Sequence, residues 1–140
     1  IYNKEYPVFA YKRVDIHQHF IAAALLAAVD SKVLTQQLSI DKEVGDSQHG
    51  SGFSFIDLLA DQAGIYFGQM LTTAPEQARK LQQLLANSKD YASIIPNLQD
   101  LPEHMDEESF KQRFSEVGSP AYQAMIEQID ARIQQLAIYN

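Results

Sequence analysis

Cysteine is absent from the 140 residues of this chain. Its absence excludes disulfide bonds, thiolate catalysis and zinc sites built from cysteine. The compartment stays open, since cysteine-free chains suit both the bacterial periplasm and the cytosol. Basic residues are also few, because 11 Lys and Arg stand against 18 Asp and Glu, for a formal net charge of −7. Such a field repels phosphate backbones and anionic lipid surfaces, so we expect no nucleic-acid partner.

Long apolar runs are lacking as well. The longest, FIAAALLAAV at residues 20–29, is well short of the roughly 20 residues that a bilayer span needs, so we expect no membrane span in this chain. We interpret this run as the most buried helix of the core. Hydrophobic residues make up 46% of the chain and charged residues 21%, which is typical of a globular domain.

Helical periodicity dominates the rest of the sequence and predicts an all-α fold. We expect about five to six helices in a single compact domain over residues 1–140, because no convincing strand pair is present. Residues 1–13 are aromatic-rich and predict an extended N-terminal arm, residues 15–71 form the motif-bearing helices, and residues 75–140 form a helical extension. The clearest amphipathic stripe lies in this extension, with apolar residues spaced by four, three, four and three: Tyr122, Ile126, Ile129, Ile133 and Leu136.

One predicted helix combines an apolar face with acidic residues. The segment DSQHGSG at residues 46–52 predicts a loop on composition, and Ser54 after it is a suitable N-cap for a helix from Phe55 to about Leu71. Asp57 and Asp61 lie one turn apart on this helix, and Gly64 and Gly68 continue their line. The two glycines would let the backbone come close to a neighbouring helix or to a ligand.

Two further acid-bearing pairs lie on the preceding helices. Asp15 and His19 are four residues apart in the first helix, and Glu43 and Asp46 are three apart near the end of the second. If three helices bring these pairs to one point, two chemistries are open. Oxygen ligands and one imidazole suit a divalent cation such as magnesium, calcium or manganese, held by Asp15, His19, Glu43, Asp46, Asp57 and Asp61. General acid–base catalysis would instead use His19, Glu43, Asp57 and Asp61.

A simpler interpretation explains the same residues without a site. Asp57 would only cap its own helix, Asp61 would be a solvated surface residue, and Lys42 would pair with either of these two acids at the surface. The remaining histidines are weaker candidates. His17 lies on a different face from His19, His49 belongs to the predicted loop, and His104 is expected at the surface.

Two segments carry a resemblance to a known family. DIHQHF at residues 15–20 and KEVGDSQHGSGFSFIDLLADQAG at residues 42–64 resemble the YfiM-like lipoproteins of the bacterial cell envelope, which are in turn distantly similar to VanZ-type membrane proteins. The resemblance covers about residues 15–68, and the remainder resembles uncharacterised bacterial proteins. The matching positions are Asp15, His19, Phe20, Lys42, Glu43, Asp46, Ser47, Gly52, Ser54, Asp57, Asp61 and Gly64.

The resemblance implies a periplasmic or envelope-associated location, while a cytoplasmic location stays open. Three functions compete. The first is a non-catalytic envelope protein whose polar cluster holds helices together or forms a ligand site. The second is a metal-assisted hydrolase that uses His19 and the carboxylates of Glu43, Asp46, Asp57 and Asp61, with a divalent cation as its cofactor. The third is a protein-binding module with an envelope protein as its partner, recognisable by an exposed apolar patch.

Overall fold

Six α-helices make up most of the part of the chain that the structure describes. A computed structural model covers residues 11, 13–29, 32–73, 75–87 and 91–140, and within these residues the only β-type pairing is a single bridge between Phe53 and Met105. The all-α prediction is therefore confirmed. The helices are α1 (Val14–Val29), α2 (Lys32–His49), α3 (Phe55–Thr73), α4 (Pro75–Asn87), α5 (Glu107–Phe114) and α6 (Pro120–Gln134), with single 3₁₀ turns at Tyr91–Ser93 and Ala137–Tyr139.

Polar side chains cap the N-termini of three helices, and the cap at Ser54 is the predicted one. The Ser54 hydroxyl accepts the backbone N–H of Asp57 at 3.1 Å and begins α3. Asp106 and Ser119 cap α5 and α6 in the same way, through the N–H groups of Ser109 and Tyr122. Each cap satisfies one of the backbone donors that have no partner inside their own helix.

One predicted boundary changes. The loop predicted at 46–52 is wrong in its first half, because α2 continues through His49 and only residues 50–54 separate it from α3. The carbonyl of Asp46 accepts the N–H groups of both Gly50 and Gly52, which ends the helix. Of the predicted arm at residues 1–13, residues 1–10 and 12 lie outside the described residues.

The closest packing in the molecule joins α1 to α3. A Cβ atom built on Gly64 would lie far inside van der Waals contact of the Phe20 carbonyl oxygen, and one on Gly68 would meet the carbonyl of Ala24 in the same way. The neighbour predicted for these glycines is therefore α1. Because Asp57, Asp61, Gly64 and Gly68 form one stripe of α3, this packing also turns both acids toward α1.

The apolar core draws residues from nearly the whole chain. Phe53 and Phe55, beside the start of α3, stack with Phe110 of α5 and Tyr122 of α6, at ring-centroid distances of 4.5 to 6.4 Å. Ile16 of α1 belongs to the same cluster of buried residues. The stripe predicted on α6 faces this core through its most buried members, Tyr122, Ile129 and Ile133.

The apolar run in α1 is not the most buried helix, and that prediction is wrong. Its small residues Ala23 and Ala27 are buried against α3, whereas Leu25 is 64% exposed and Val29 is 84% exposed. The most buried helix is α3, in which ten residues are buried. Beside Gly64 and Gly68 of α3, small residues of α1 face inward because the glycines permit close approach, and Ile21, Leu25, Leu26 and Val29 point outward.

Candidate functional site

A histidine of α1 lies between two acids of α3. Nδ1 of His19 donates to Oδ1 of Asp61 at 2.8 Å, and Nε2 lies 3.4 Å from Oδ2 of Asp57. All three side chains are largely buried. The hydrogen bond from His19 to Asp61, with the charges of both acids, raises the pKa of His19 above its ordinary value. The two carboxylates therefore favour the protonated form of the His19 ring that lies between them.

Polar contacts also attach α2 to α3. Ser39 donates to Oδ2 of Asp61, and one turn earlier the amide of Gln36 donates to Gln62 at 3.0 Å. Since Asp61 accepts from His19 on its other oxygen, a single carboxylate joins α1, α2 and α3. Glu43 lies one turn after Ser39 on α2 and makes the third contact, in which the backbone N–H of Ser54 donates to Oε2 of Glu43 at 2.8 Å.

Glu43 occupies the most enclosed position of the cluster. Its side chain is fully buried, and Oε1 has no hydrogen-bond partner among the described residues. Burial, helped by the nearby charge of Asp57, raises the pKa of Glu43 to about 7. Burial also raises the pKa of Asp57, whose Oδ1 is likewise without a partner in the described part of the chain. The cluster consequently retains protons that exposed carboxyl groups would lose.

The structure does not bring all six predicted ligands to one point. Asp15 forms a bidentate pair with Arg13 at the start of α1, which holds the pKa of Asp15 below its usual range. Asp46 pairs with Lys42 at 2.7 Å along the outer side of α2. His19, Asp57 and Asp61 do meet, but among the described residues no group of three or more His, Asp or Glu side chains is arranged to hold a metal ion. Two carboxylates bracketing one imidazolium form a hydrogen-bonded unit rather than a coordination shell.

The simpler interpretation of the acids is wrong for Asp61, which is only 7% exposed. Asp57 does occupy the capped turn of α3, but its carboxylate faces His19. Lys42 pairs with Asp46 and not, as predicted, with Asp57 or Asp61, and its Nζ also lies 3.6 Å from Oε1 of Glu43. Together these contacts form an unbroken polar path from α1 through α3 to α2.

The remaining histidines lie outside the cluster. His17 is half-buried, with its ring centroid 6.5 Å from that of Tyr91. His49 ends α2 and is exposed, and His104 is exposed as predicted, with Nδ1 3.1 Å from the Ser51 carbonyl. None of these three histidines therefore takes part in the described contacts around Asp61.

Sequence reasoning missed Ser39, Gln36 and Tyr122 as parts of this region. Ser39 and Gln36 share a face of α2 with Glu43, at spacings of four and three, so a polar stripe was visible in the sequence. Tyr122 was assigned to the core, where it lies, but its buried hydroxyl has no partner among the described residues. Burial and the charge of Glu43 raise the pKa of Tyr122 to about 12.

A cleft of about 320 Å³ between α1 and α2 reaches the cluster from outside. His19, Asp61 and Lys42 line its polar part, and Leu26 and Leu38 line its apolar part. Both oxygens of Asp61 and both nitrogens of His19 are already occupied, so the cleft meets polar groups with little hydrogen-bonding capacity left.

Comparisons of the chain with protein-family models, with curated proteins and with solved structures found no match. The described residues contain no helix that is both long enough and apolar enough to cross a membrane.

Proposed function

We propose that this chain is a non-catalytic domain of a bacterial cell-envelope protein, in which a buried polar cluster fixes how three helices meet. The observation that carries the proposal is the contact set of Asp61, whose two carboxylate oxygens accept from His19 of α1 and Ser39 of α2. A carboxylate with both oxygens engaged by different helices acts as a structural connector.

The residues behind the proposed kinship with YfiM-like envelope proteins support the same function. His19, Glu43, Ser54, Asp57 and Asp61 all take part in contacts among α1, α2 and the start of α3. Gly64, another of the matching positions, sits where α1 and α3 pack most closely. A structural network therefore accounts for half of the twelve matching positions without a reaction.

The metal-assisted hydrolase has less support from the geometry. A general base must be able to accept a proton, whereas the hydrogen bond to Asp61 and the charges of both acids raise the pKa of His19 and so favour its protonated form. Its two nitrogens are also held by Asp57 and Asp61 and are not directed to a substrate.

The test is a pair of substitutions at Asp61. Asp61→Ala leaves the imidazolium of His19 and the hydroxyl of Ser39 without their acceptor, and we expect the free energy of unfolding to fall by about 2–4 kcal/mol. Asp61→Asn keeps one acceptor oxygen and should cost less. Urea denaturation followed by circular dichroism measures both.

Asp41→Ala is the matched control, because Asp41 is exposed on α2 and its removal changes the net charge equally. We expect it to change stability by no more than about 0.5 kcal/mol. If Asp61→Ala is as stable as the parent chain or more stable, the cluster does not hold the helices together. That result would instead indicate that Asp61 serves an activity at the expense of stability.

A second candidate function is a protein-binding module, favoured by the outward face of α1. Ile21, Leu25 and Val29 are 52%, 64% and 84% exposed, and Leu38 of α2 is 51% exposed. Aliphatic side chains exposed together on adjacent helices are typical of interaction surfaces. A photo-crosslinking residue at position 25, with one at the exposed position 82 of α4 as control, tests this function in cells. A discrete adduct from position 25 alone supports it, and equal or absent adducts contradict it.

A further inference from the structure

Exposed aliphatic side chains are concentrated on one face of the molecule. Eight large hydrophobic side chains are exposed among the described residues, and six of them belong to α1 and α2: Val14, Ile21, Leu25, Leu26, Val29 and Leu38. We call these six residues the aliphatic face. No Asp, Glu, Lys or Arg occurs between residues 16 and 29, so the net charge of −7 is carried elsewhere. A helix that is apolar on two sides is typically covered on both, and the close packing with α3 covers only one side of α1.

The aliphatic face contains a ridge and a groove side by side. Three of its members follow at intervals of four residues and form the ridge along α1: Ile21, Leu25 and Val29. The groove is the apolar part of the cleft of about 320 Å³ between α1 and α2, and its walls include Ala22, Leu26 and Leu38. The polar end of the cleft belongs to the cluster around Asp61 and is not part of the groove. Since Ala22 and Leu26 directly follow Ile21 and Leu25 in sequence, the groove runs directly beside the ridge.

A surface of this kind is complementary to itself. A two-fold axis perpendicular to the face turns a second copy so that the ridge of each copy lies over the groove of the other. Ridges with a spacing of four residues that pack in this way cross at about −50°, which is the commonest packing of two helices in globular proteins. A bilayer surface would meet the ridge and leave the groove unfilled. A second copy of the chain therefore fits the aliphatic face better than a lipid surface does.

The size of the aliphatic face suits a weak dimer. By their exposed fractions, the six side chains present roughly 600 Å² in each copy, against the about 800 Å² per partner of a standard interface. The exposed Gln18, which lines the same cleft, adds a polar contribution at the margin. Repulsion between two chains of net charge −7 opposes their association. We therefore expect micromolar affinity.

We propose that the aliphatic face is the interface of a symmetric homodimer in which two α1 helices pack against each other. Leu25 of each copy enters the groove of the other copy and lies beside its Leu38. The homodimer rests on the second candidate function and narrows it to one partner, a second copy of this chain. It is independent of the role of Asp61 in joining the helices, because the aliphatic face lies outside those contacts.

The experiment is sedimentation velocity at neutral pH over a chain concentration of about 5–500 µM, because a reversible dimer depends on concentration. We expect the average mass to rise with concentration from 15.8 kDa towards twice this value and no further. A closed two-fold interface stops at the dimer, whereas association without a defined interface continues to larger particles.

Val29→Gln and Val117→Gln form a matched pair, because both valines are exposed and only Val29 belongs to the aliphatic face. We expect Val29→Gln and Leu25→Gln to raise the dissociation constant of the dimer at least tenfold. Val117→Gln should leave it unchanged. Thermal unfolding of each variant checks that the fold is retained.

The absence of cysteine allows a direct test of the geometry, since each introduced thiol is the only one in its chain. A chain with Leu25→Cys, mixed with a chain with Leu38→Cys under mild oxidation, should form an intermolecular disulfide between these two positions. The control mixes Leu25→Cys with Val117→Cys and should yield no disulfide between positions 25 and 117.

A chain that stays monomeric over the whole concentration range overturns the proposal, whether residues 1–10 of the same chain or another molecule then covers the face. A dimer that survives both Val29→Gln and Leu25→Gln also overturns it. Binding of a monomer to phosphatidylcholine vesicles, abolished by Leu25→Gln, would assign the face to a lipid surface instead. If a monomeric chain gives an adduct with a different protein from position 25 in cells, only the self-pairing is wrong and the protein-binding function stands.

Discussion

Glu43 shows how a single side chain makes the polar cluster sensitive to pH. Its Oε2 accepts the Ser54 N–H at the start of α3, while Oε1 is buried without a donor. A protonated carboxyl group fits this environment better than a carboxylate, which is why burial raises the pKa of Glu43 to about 7 from its ordinary value of 4.5. The folded chain therefore binds a proton there that the unfolded chain has already lost between these two pH values.

We accordingly expect stability to fall as the pH rises from about 4.5 to 7, by on the order of 2–3 kcal/mol from Glu43. Glu43→Gln mimics the protonated form, so it should flatten this part of the profile and be more stable than the parent chain at pH 8. Chemical denaturation at several pH values measures both. Equal slopes for the two chains between pH 5 and 7 would contradict the assignment.

His19 adds to the same trend at higher pH. Its raised pKa means that its contribution is fully present below the unfolded value of about 6.5 and is lost as the pH rises through the folded value. We expect Glu43→Gln to retain this later loss of stability, whereas His19→Gln should remove it. Histidine C2-proton resonances followed through the titration provide the check, because the His19 signal should titrate above the ordinary histidine value.

At the scale of elements, the crossing of α1 and α3 decides where the polar groups can meet. Gly64 and Gly68 bring the two helices into backbone contact, and one turn earlier on the same stripe Asp61 meets His19. The hydrogen bond of 2.8 Å consequently depends on the helix separation that the glycines allow.

Gly64→Ala should therefore disrupt both packing and the polar contact. The new Cβ would collide with the Phe20 carbonyl oxygen, a backbone atom that cannot move aside, so the helices must separate. We expect destabilisation by about 1–3 kcal/mol and a lowered pKa of His19. Gly45→Ala on α2 is the control, because no atom lies within 4 Å of its added Cβ, and it should be neutral or stabilising. Equal stability of the two variants would argue against this account of the crossing.

Much of the element structure was predictable because it depends on local patterns. The caps at Ser54, Asp106 and Ser119 and the stripe on α6 each reflect neighbours within one or two turns. The spacing along α3 likewise places Asp57 and Asp61 on one face, although their pairing with His19 is a contact between distant segments.

What depends on contacts between distant segments was harder to predict. Asp15 and Asp46 have the spacing of site residues, but each forms an ion pair with a basic residue close to it in sequence. Asp15 pairs with Arg13, and Asp46 pairs with Lys42. The exposure of α1 also could not be read from its composition. Which face of an apolar helix is buried is set by its neighbour, here the glycine stripe of α3.

At the scale of the whole molecule, the aromatic cluster couples the two halves of the chain. Phe53 and Phe55 precede or begin α3, and Phe110, Phe114 and Tyr122 come from α5 and α6. The bridge between Phe53 and Met105 adds two backbone hydrogen bonds to the same junction. The helical extension thus shares its core with the helices that carry His19 and Asp61.

This shared core predicts one cooperative transition. Phe110→Ala, far in sequence from the polar cluster, should lower the free energy of unfolding by about 3–5 kcal/mol. Hydrogen exchange of amides, measured at increasing denaturant, reports the unfolding of each helix separately. The denaturant midpoints of α1, α3 and α6 should all fall by the same amount. Loss of protection confined to α5 and α6 would show that the two halves unfold separately.

The outward aliphatic face of α1 has a practical consequence for handling the protein. Electrostatic repulsion between molecules with a net charge of −7 counteracts the tendency of Leu25 and Val29 to associate in solution. That repulsion vanishes near the isoelectric point of about 4.9. At this acidic pH, Glu43 and His19 also make their largest contributions to the stability of the folded state. The pH of greatest thermodynamic stability and the pH of greatest colloidal solubility should consequently lie on opposite sides of neutrality.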